Sequence, residues 1–343
     1  MKVITFVLPN YSRVPIGGYK IVFEYANRLV EDGFKVKILF LNDHALEKYR
    51  FPRWIKKIVI NLLTHIEPRW FHLNRKIKKR SGININRKIN ADIVIATSAT
   101  TVDYVNSNFE SAKKIYLIQD FENWNMSSDK LYATYKLGFQ NIVVAKWLKE
   151  IVDKYSKKPA IYIQNPINVQ KYKVYTPIKK RNPFNIGMLY HARTTKGSIY
   201  AIEALKKVHE LYPQLIVNVF GTSNRPNNLP IWFKYTKDAS QKQTINIYNN
   251  ISIFVNSSIK EGFGLTGLEA MACGAALVST SYDGVKEYAE NNVDSLLSPI
   301  RDSEVLAKNI VSLIENQQKR IKLAEEGQKR AQNFSWDNSY SKF

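Results

Sequence analysis

The chain has 343 residues, 45% of them apolar, with 51 Lys or Arg against 29 Asp or Glu and a formal net charge of +22. That length accommodates two domains of ordinary size. One Cys, Cys273, excludes an intrachain disulfide and a cysteine metal cluster, and the five His show no metal-ligand spacing. No run of about 18 apolar residues predicts a membrane-spanning helix, and Met1-Lys2 leads straight into a strand rather than a secretory leader, so a cytoplasmic location is the default expectation. So large a charge bears on partners and solubility, not on fold, and anionic membrane or nucleic acid are the two obvious candidates.

The first segment reads as a βαβ unit. Residues 3–8 form an apolar strand, residues 9–18 a loop ending in Gly17-Gly18, and residues 19–31 carry helical periodicity. Asp32-Gly33 stops the helix before a second strand at 35–40, which implies a parallel sheet. Gly17-Gly18 is not the Gly-x-Gly-x-x-Gly of dinucleotide enzymes.

Residues 46–90 break this regularity. They hold thirteen Lys or Arg and two acids, an excess of eleven that makes up half of the chain's +22. Tyr49, Phe51, Trp54, Trp70 and Phe71 interleave with Lys56-Lys57 and with Lys76, Lys78, Lys79 and Arg80. Such a mixture fits an interfacial membrane segment, and equally a solvated basic face over an ordinary apolar core. RNA binding is a third reading, and no recognised nucleic-acid module accompanies it.

Further strands are expected at 92–97, 114–119, 141–145 and 161–166. Two of them end in polar clusters: Thr97, Ser98 and Thr100 after one, and Asp120, Phe121, Glu122, Asn123 and Trp124 after the other. Open α/β sheets bind ligands at such carboxyl ends. Residues 169–183, polar and basic with Pro177 and Pro183, read as a linker. A second Rossmann-like unit follows: strand 184–190, a loop holding Arg193 and Lys196, helix 198–211, and strand 215–220 ending in Gly221-Thr222. The stretch from there to Tyr248 is polar and gives no clear element.

The most informative stretch is Glu261 to Glu269, reading Glu-Gly-Phe-Gly-Leu-Thr-Gly-Leu-Glu. An apolar strand at 251–255 precedes it, and Ala270-Met271-Ala272-Cys273-Gly274 closes a short helix after it. Turn glycines let backbone approach a ligand. A helix N-terminus near Leu265 offers free N–H groups to a diphosphate. Carboxylates accept hydrogen bonds from paired hydroxyls of a sugar or ribose. Beyond it come a strand at 276–280, a short helix opened by Gly284, a helix in two pieces around Gly327, and a terminal helix from Phe334-Ser335-Trp336.

Glu-x7-Glu with this context resembles the donor-site signature of glycosyltransferase family 4. The resemblance covers residues 183–300 most firmly and is mostly topological over 1–168. It implies α/β GT-B architecture: two Rossmann-like parallel-sheet domains facing across a cleft, an acceptor domain at 1–168, a linker at 169–183, a nucleotide-sugar donor domain at 184–333 and a C-terminal helix at 334–343 returning to the N-domain. It further implies that Arg193 and Lys196 clamp the donor diphosphate and that Glu261 acts on the transferred sugar. Gly17, Gly18, Gly221, Thr222, Gly262, Phe263, Gly264, Leu265, Thr266 and Glu269 would surround the donor, with Glu269 on the ribose. Thr97, Ser98, Asp120 and Glu122 would meet the acceptor.

The function implied is a retaining, metal-independent glycosyltransferase with no cofactor and a nucleoside diphosphate sugar as donor. The short Arg193-Thr194-Thr195-Lys196 loop and the Gln119-Asp120-Phe121-Glu122 run resemble bacterial rhamnosyltransferases of cell-surface polysaccharides, which points to dTDP-rhamnose. A UDP-hexose or UDP-N-acetylhexosamine transferase, or a non-catalytic partner that binds sugar nucleotides, are the other readings. The expected partners are a glycan or lipid-linked glycan acceptor and an anionic membrane, met through residues 46–90 at the inner face of the cell membrane, and not nucleic acid.

Overall fold

The computed structural model describes residues 1–42, 45–46, 50, 52–82, 90–124 and 126–343. The chain divides into two compact units, Met1–Ile163 and Gln164–Phe343. In the first unit the elements are β1 (Val3–Leu8), α1 (Gly17–Glu31), β2 (Lys35–Phe40), α2 (Arg53–Ile66), β3 (Lys78–Ser81), β4 (Ile93–Ala96), α3 (Ala99–Asn108), β5 (Lys113–Ile118), α4 (Ser128–Tyr135), β6 (Gln140–Val143), α5 (Lys146–Asp153) and β7 (Ile161–Tyr162). The strands pair in parallel in the order β3-β2-β1-β4-β5-β6-β7. β1 reads as an unbroken apolar run because helices cover both faces of such a sheet; Phe6, Val7 and Leu8 are fully buried. α1 packs through Ile21, Val22, Phe23, Tyr25, Ala26, Leu29 and Val30, and Gly33 at φ +88° turns the chain back into β2.

Two regular elements stand where the sequence looked least regular. α2 buries Ile60 and Thr64, and Thr64 Oγ1 accepts from Asn42 Nδ2 at 3.1 Å. β3 is an edge strand carrying Lys78, Lys79 and Arg80, and charge on an edge strand discourages pairing with another chain.

The second unit holds β8 (Asn185–Leu189), α6 (Ser198–Leu211), β9 (Ile216–Gly221), β10 (Phe233–Lys237), α7 (Gln241–Asn250), β11 (Ile253–Asn256), α8 (Leu265–Ala272), β12 (Ala276–Thr280), β13 (Ser295–Ser298), α9 (Ser303–Glu315), α10 (Gln317–Ala331) and α11 (Trp336–Tyr340). Its parallel sheet runs β10-β9-β8-β11-β12-β13. β10 and α7 occupy the polar stretch that gave no clear element. α7 opens with a capping box, Ser240 with Gln243, a signal present in the sequence and overridden by the low apolar content around it.

Two expectations change. The helix after Asp302 breaks at Asn316, whose side chain caps Lys319 N, and not at Gly327. Gly327 lies inside α10, where a Cβ would sit 3.1 Å from Met271 Cε and 3.2 Å from Asp294 O, so the absent side chain allows close packing. Residues 169–183 are also no loose tether. Tyr172 and Arg181 are buried, and the Arg181 guanidinium donates to the carbonyls of Thr176, Tyr248, Ile251 and Cys273. That fastens this stretch to the second unit.

Candidate functional site

In the second sheet the chain moves from β8 to β9 and β10 on one side, then returns to β11, β12 and β13 on the other. Between β8 and β11 the order reverses, and ligands of open α/β sheets bind at the carboxyl ends of such a pair. Two loops emerge there: residues 190–197 after β8, and 257–264 after β11.

The two loops are stitched together by backbone. Ile259 N and Lys260 N both donate to Thr195 O, at 2.8 and 3.1 Å, and Ser257 Oγ donates to Gly197 O at 2.8 Å. Gly197 sits at φ +57°, and a Cβ there would lie 2.0 Å from Ser257 O, so only glycine fits. Ser198 Oγ accepts from His191 N and donates to His191 O. His191 Nδ1 accepts from Arg193 N at 3.0 Å, so the ring proton belongs on Nε2. Burial, then the cations of Lys196 and Arg193, hold the His191 pKa below its ordinary value and keep the ring neutral.

This framework brings Lys196 and Glu261 together. Lys196 Nζ lies 2.5 Å from Glu261 Oε1, and Glu261 Oε2 accepts from Ser258 Oγ at 3.0 Å. Both side chains keep about a fifth of their surface, 22% and 17%, so the pair remains within reach of a solute. Arg193, three residues before Lys196, is exposed.

Glu261 leads into Gly262, Phe263 and Gly264, all buried, and then into α8, whose first residues Leu265 and Thr266 are half-buried. Gly264 has φ +95°, and a Cβ on it would meet Tyr282 Oη at 2.0 Å. Three side chains that sequence reasoning missed hold this turn: Asn256 Nδ2 donates to Tyr282 Oη (2.9 Å), Tyr282 Oη meets Tyr288 Oη (3.0 Å), and Tyr288 Oη donates to Gly264 O (2.9 Å). Burial pushes both phenols well above their ordinary pKa, and the Glu261 charge adds to this, so both stay protonated donors. Gly284 completes the fit, since a Cβ there would fall 2.6 Å from Glu261 O. The first N–H groups of α8 have no acceptor within the helix and give it a positive end beside Glu261.

Glu269 lies one turn further into α8 and is buried. Tyr248, on α7, donates to Glu269 Oε2 at 3.4 Å. The Glu269 charge and, before it, burial push the Cys273 thiol up to about 12, which keeps it an inert core group. Glu261 and Glu269 thus have different surroundings: a cation and a hydroxyl for one, a buried phenol for the other. Gly221 ends β9, where a Cβ would meet Tyr190 O at 2.4 Å, and Thr222 beside it is half-buried. Among the described residues, no group of three or more His, Cys, Asp or Glu is placed to hold a metal ion.

The first unit has the same topology and different chemistry. Its order reverses between β1 and β4. Gly17 and Gly18 open α1, and Gln119 Nε2 donates to Gly18 O at 3.2 Å. Thr97 Oγ1 donates to Val7 O, and Asp120 Oδ1 accepts from Phe121 N. Glu122 is buried, with Oε2 accepting from Ser98 Oγ at 2.5 Å and from Ala99 N at 2.8 Å at the start of α3. Burial raises its pKa to about 7 against the pull of those hydrogen bonds. Ser98 and Glu122 therefore do come together, at the start of α3.

Part of the basic aromatic segment needs correcting. Trp70 and Phe71, expected at a membrane, are half-buried and pack on Phe23 at 5.7 and 5.5 Å, with Trp70 Nε1 donating to Ser12 O. Lys79, also expected there, donates to the carbonyls of His65 and Glu67 and closes the end of α2. Tyr49 and Phe51 lie outside the described residues.

Residues 176–330 match the family model for glycosyl transferases group 1. Over these residues the chain is similar to the group 1 glycosyl transferases. An uncharacterized glycosyltransferase of Methanocaldococcus jannaschii is 26% identical over 206 residues, covering 57% of this chain and 55% of that one. A Campylobacter jejuni N,N'-diacetylbacillosaminyl-diphospho-undecaprenol alpha-1,3-N-acetylgalactosaminyltransferase is 34% identical over 85 residues, covering 25% of this chain and 23% of that one. The chain thus spans about half or less of the length of these curated relatives. Among solved structures, Anabaena HepE in complex with UDP and glucose superposes with a TM-score of 0.75 at 17% identity, covering 99% of this chain and 98% of that one. At that identity the likeness speaks for the fold, which is GT-B, and the stretch that matches the family model lies in the second of two Rossmann-like parallel-sheet units.

Proposed function

We propose that the chain is a retaining glycosyltransferase that moves a sugar from a nucleoside diphosphate sugar to a hydroxyl of a glycan or lipid-linked glycan. The observation that carries this is the junction of β8 and β11, where Lys196 pairs with Glu261 just before the positive end of α8, and Arg193 stands exposed on the Lys196 loop. When the sugar bond breaks, negative charge develops on the departing diphosphate. Lys196, Arg193 and the N–H groups of Leu265 and Thr266 would stabilise that charge from fixed positions. In this reading the charge neutralisation needs no divalent metal and no cofactor. Glu261 would hold hydroxyls of the transferred sugar, and ribose hydroxyls would compete with the Tyr248 phenol for Glu269. Gly221 and Thr222 would border the nucleotide. The acceptor oxygen would bond to the sugar's anomeric carbon on the face from which the phosphate departs, and the phosphate would take the acceptor's proton; same-face attack keeps the configuration.

The donor favoured is dTDP-rhamnose, supported by the short Arg193–Lys196 loop and the run from Gln119 to Glu122. A UDP-hexose is the second reading, favoured by the UDP and glucose held by the Anabaena protein. Thr97, Ser98, Asp120 and Glu122, at the carboxyl ends of β4 and β5, would face the acceptor, and Gly17 and Gly18 keep the donor role that the sequence resemblance implies. A lipid-linked acceptor is supported by the diphospho-undecaprenol in the Campylobacter relative's name and by the basic excess of residues 46–90, which would place the protein at the inner face of the cell membrane in bacterial surface polysaccharide synthesis.

The test is release of nucleoside diphosphate from dTDP-rhamnose, UDP-glucose and UDP-N-acetylhexosamines, with and without chelator. Release that persists in chelator supports the reading. A rate abolished by chelator and restored by magnesium or manganese would overturn the metal-independent part. Nucleotide binding without turnover on any donor or acceptor would mark a non-catalytic sugar-nucleotide-binding protein.

A further inference from the structure

α2 carries an unusual set of exposed side chains. Trp54, Ile58, Leu62 and Ile66 are 64%, 61%, 59% and 37% exposed, and no other described element carries more than two large exposed apolar residues. Their spacing is four residues throughout, so they form one slanting stripe about 18 Å long on the side of the helix away from Ile60 and Thr64. The helix is held rigidly behind this stripe. Thr64 is fixed by Asn42, and Asn42 in turn donates to Ser81 Oγ at 2.9 Å. Lys79 ties down the carbonyls of His65 and Glu67.

The stripe has cations beside it. α2 contains Arg53, Lys56 and Lys57 and neither Asp nor Glu. Exposed Lys57, with Asn61 and His65, borders Ile58 and Leu62 in a shallow surface groove, and Arg69 just beyond the helix has its side chain 75% exposed.

We propose that this face of α2 lies flat on an anionic phospholipid bilayer, with Trp54, Ile58, Leu62 and Ile66 entering the boundary between head groups and acyl chains. The inference rests on the membrane contact of the proposed function and names the surface that makes it. Residue chemistry selects the occupant. An amphipathic helix with Trp and aliphatics on one face and Lys or Arg beside them partitions into the interface of anionic membranes. A second copy of this chain is disfavoured, because pairing α2 with itself would set one basic flank against another.

The experiment is cosedimentation with phosphatidylcholine vesicles, with and without phosphatidylglycerol. Wild type is compared with the double variant Ile58→Asp, Leu62→Asp, and with Lys56→Ser, Lys57→Ser. Melting temperature and binding of UDP and of dTDP are measured on each, and the nucleotide that wild type binds is the reference. Because Ile58 and Leu62 are exposed, the double variant is expected to fold and to bind that nucleotide like wild type. Its partition onto phosphatidylglycerol vesicles should fall at least tenfold. The lysine variant should bind more weakly, with a shallower salt dependence. Tryptophan emission should shift to the blue on these vesicles in wild type and much less in Trp54→Phe. If wild type sediments and the aspartate variant sediments equally, the membrane contact survives and α2 is not its surface. If wild type ignores anionic vesicles at low salt, the contact and the inference fall together, while nucleotide binding still reports separately on the transferase site. If the aspartate variant changes only oligomeric state in light scattering, the stripe is an interface between copies and the proposal is wrong.

Discussion

The β8/β11 junction and the β1/β4 junction are the same topological feature carrying opposite chemistry. At β8/β11 the ionisable groups are partly exposed and cationic on balance: Lys196 and Arg193 stand with Glu261 on loops whose backbones are tied together. At β1/β4 they are acidic: Asp120 is half-buried, and Glu122 is buried and accepts from Ser98 Oγ and Ala99 N. A sheet reversal therefore supplies a place and not a chemistry. Residues 190–197 and 257–264 are proposed to suit an anion: small residues, Gly197, Ser257, Ser258 and Gly264, let the two loops approach, with Arg193 exposed and Lys196 set on Glu261. Residues 97–99 and 119–122 draw a carboxylate inward, where it supports the fold and is proposed to meet a neutral hydroxyl.

Removing the cations of the first junction should have the largest effect. Arg193→Ala and Lys196→Ala should each cost about 2–4 kcal/mol of transition-state stabilisation, read from kcat/KM on the preferred donor, with melting temperature little changed. Wild-type kinetics in both would put the diphosphate elsewhere and dissolve the contrast between the junctions.

The second junction should show itself in stability rather than turnover. Glu122 has a folded pKa of about 7 against an ordinary value of 4.5, so the folded state keeps a proton that the unfolded chain has lost between those values. Its contribution is present in full below about pH 4.5 and is lost as pH rises through about 7, on the order of 3 kcal/mol in all. Glu122→Gln keeps an acceptor for Ser98 and Ala99 and should flatten that part of the stability profile in denaturant melts at pH 5 and pH 8. An unchanged profile would mean that Glu122 ionises normally.

Within the first junction, the two glutamates should separate. Glu269→Ala is expected to weaken binding of the nucleoside diphosphate by about 1.5–3 kcal/mol, the scale of a hydrogen bond to a charged group. Glu261→Ala should lower turnover while nucleotide still binds. Equal losses of nucleotide affinity in calorimetry would undo that assignment. The smallest effect concerns the turn itself. Gly264→Ala forces a side chain onto φ +95° and against Tyr282 Oη, and should cost about 1–3 kcal/mol of stability. Gly33→Ala has a similar φ of +88° with nothing within 4 Å, and should cost less. Equal costs would mean that the tyrosine contact adds nothing.

The sequence made the second unit legible because its signals are local. A strand, a glycine turn and a short helix are contiguous from Ile251 to Gly274, and Arg193 and Lys196 sit in an evident loop. The partners that fix the site were not legible, because they lie outside the motif, before it at Asn256 and Ser258 and well after it at Tyr282 and Tyr288. Ser258 and Asn256 look like ordinary strand-end residues until Glu261 and Tyr282 are beside them, and Tyr288 lies 24 residues from the Gly264 carbonyl it meets. In the first unit, Trp54 and Trp70 look alike in sequence. One faces outward on α2 and the other packs on Phe23, a difference set by the direction of a helix whose start the composition obscured.

The account turns on the β8/β11 junction being a diphosphate site. The most direct measurement is calorimetric titration of UDP and of dTDP, in the presence of chelator, into wild type and into the Arg193→Ala, Lys196→Ala double variant. Wild type should bind at least one of the two nucleotides, and the double variant should bind it at least about tenfold more weakly, a loss of about 1.4 kcal/mol or more, at an unchanged melting temperature. A double variant that binds both diphosphates as tightly as wild type would contradict the account.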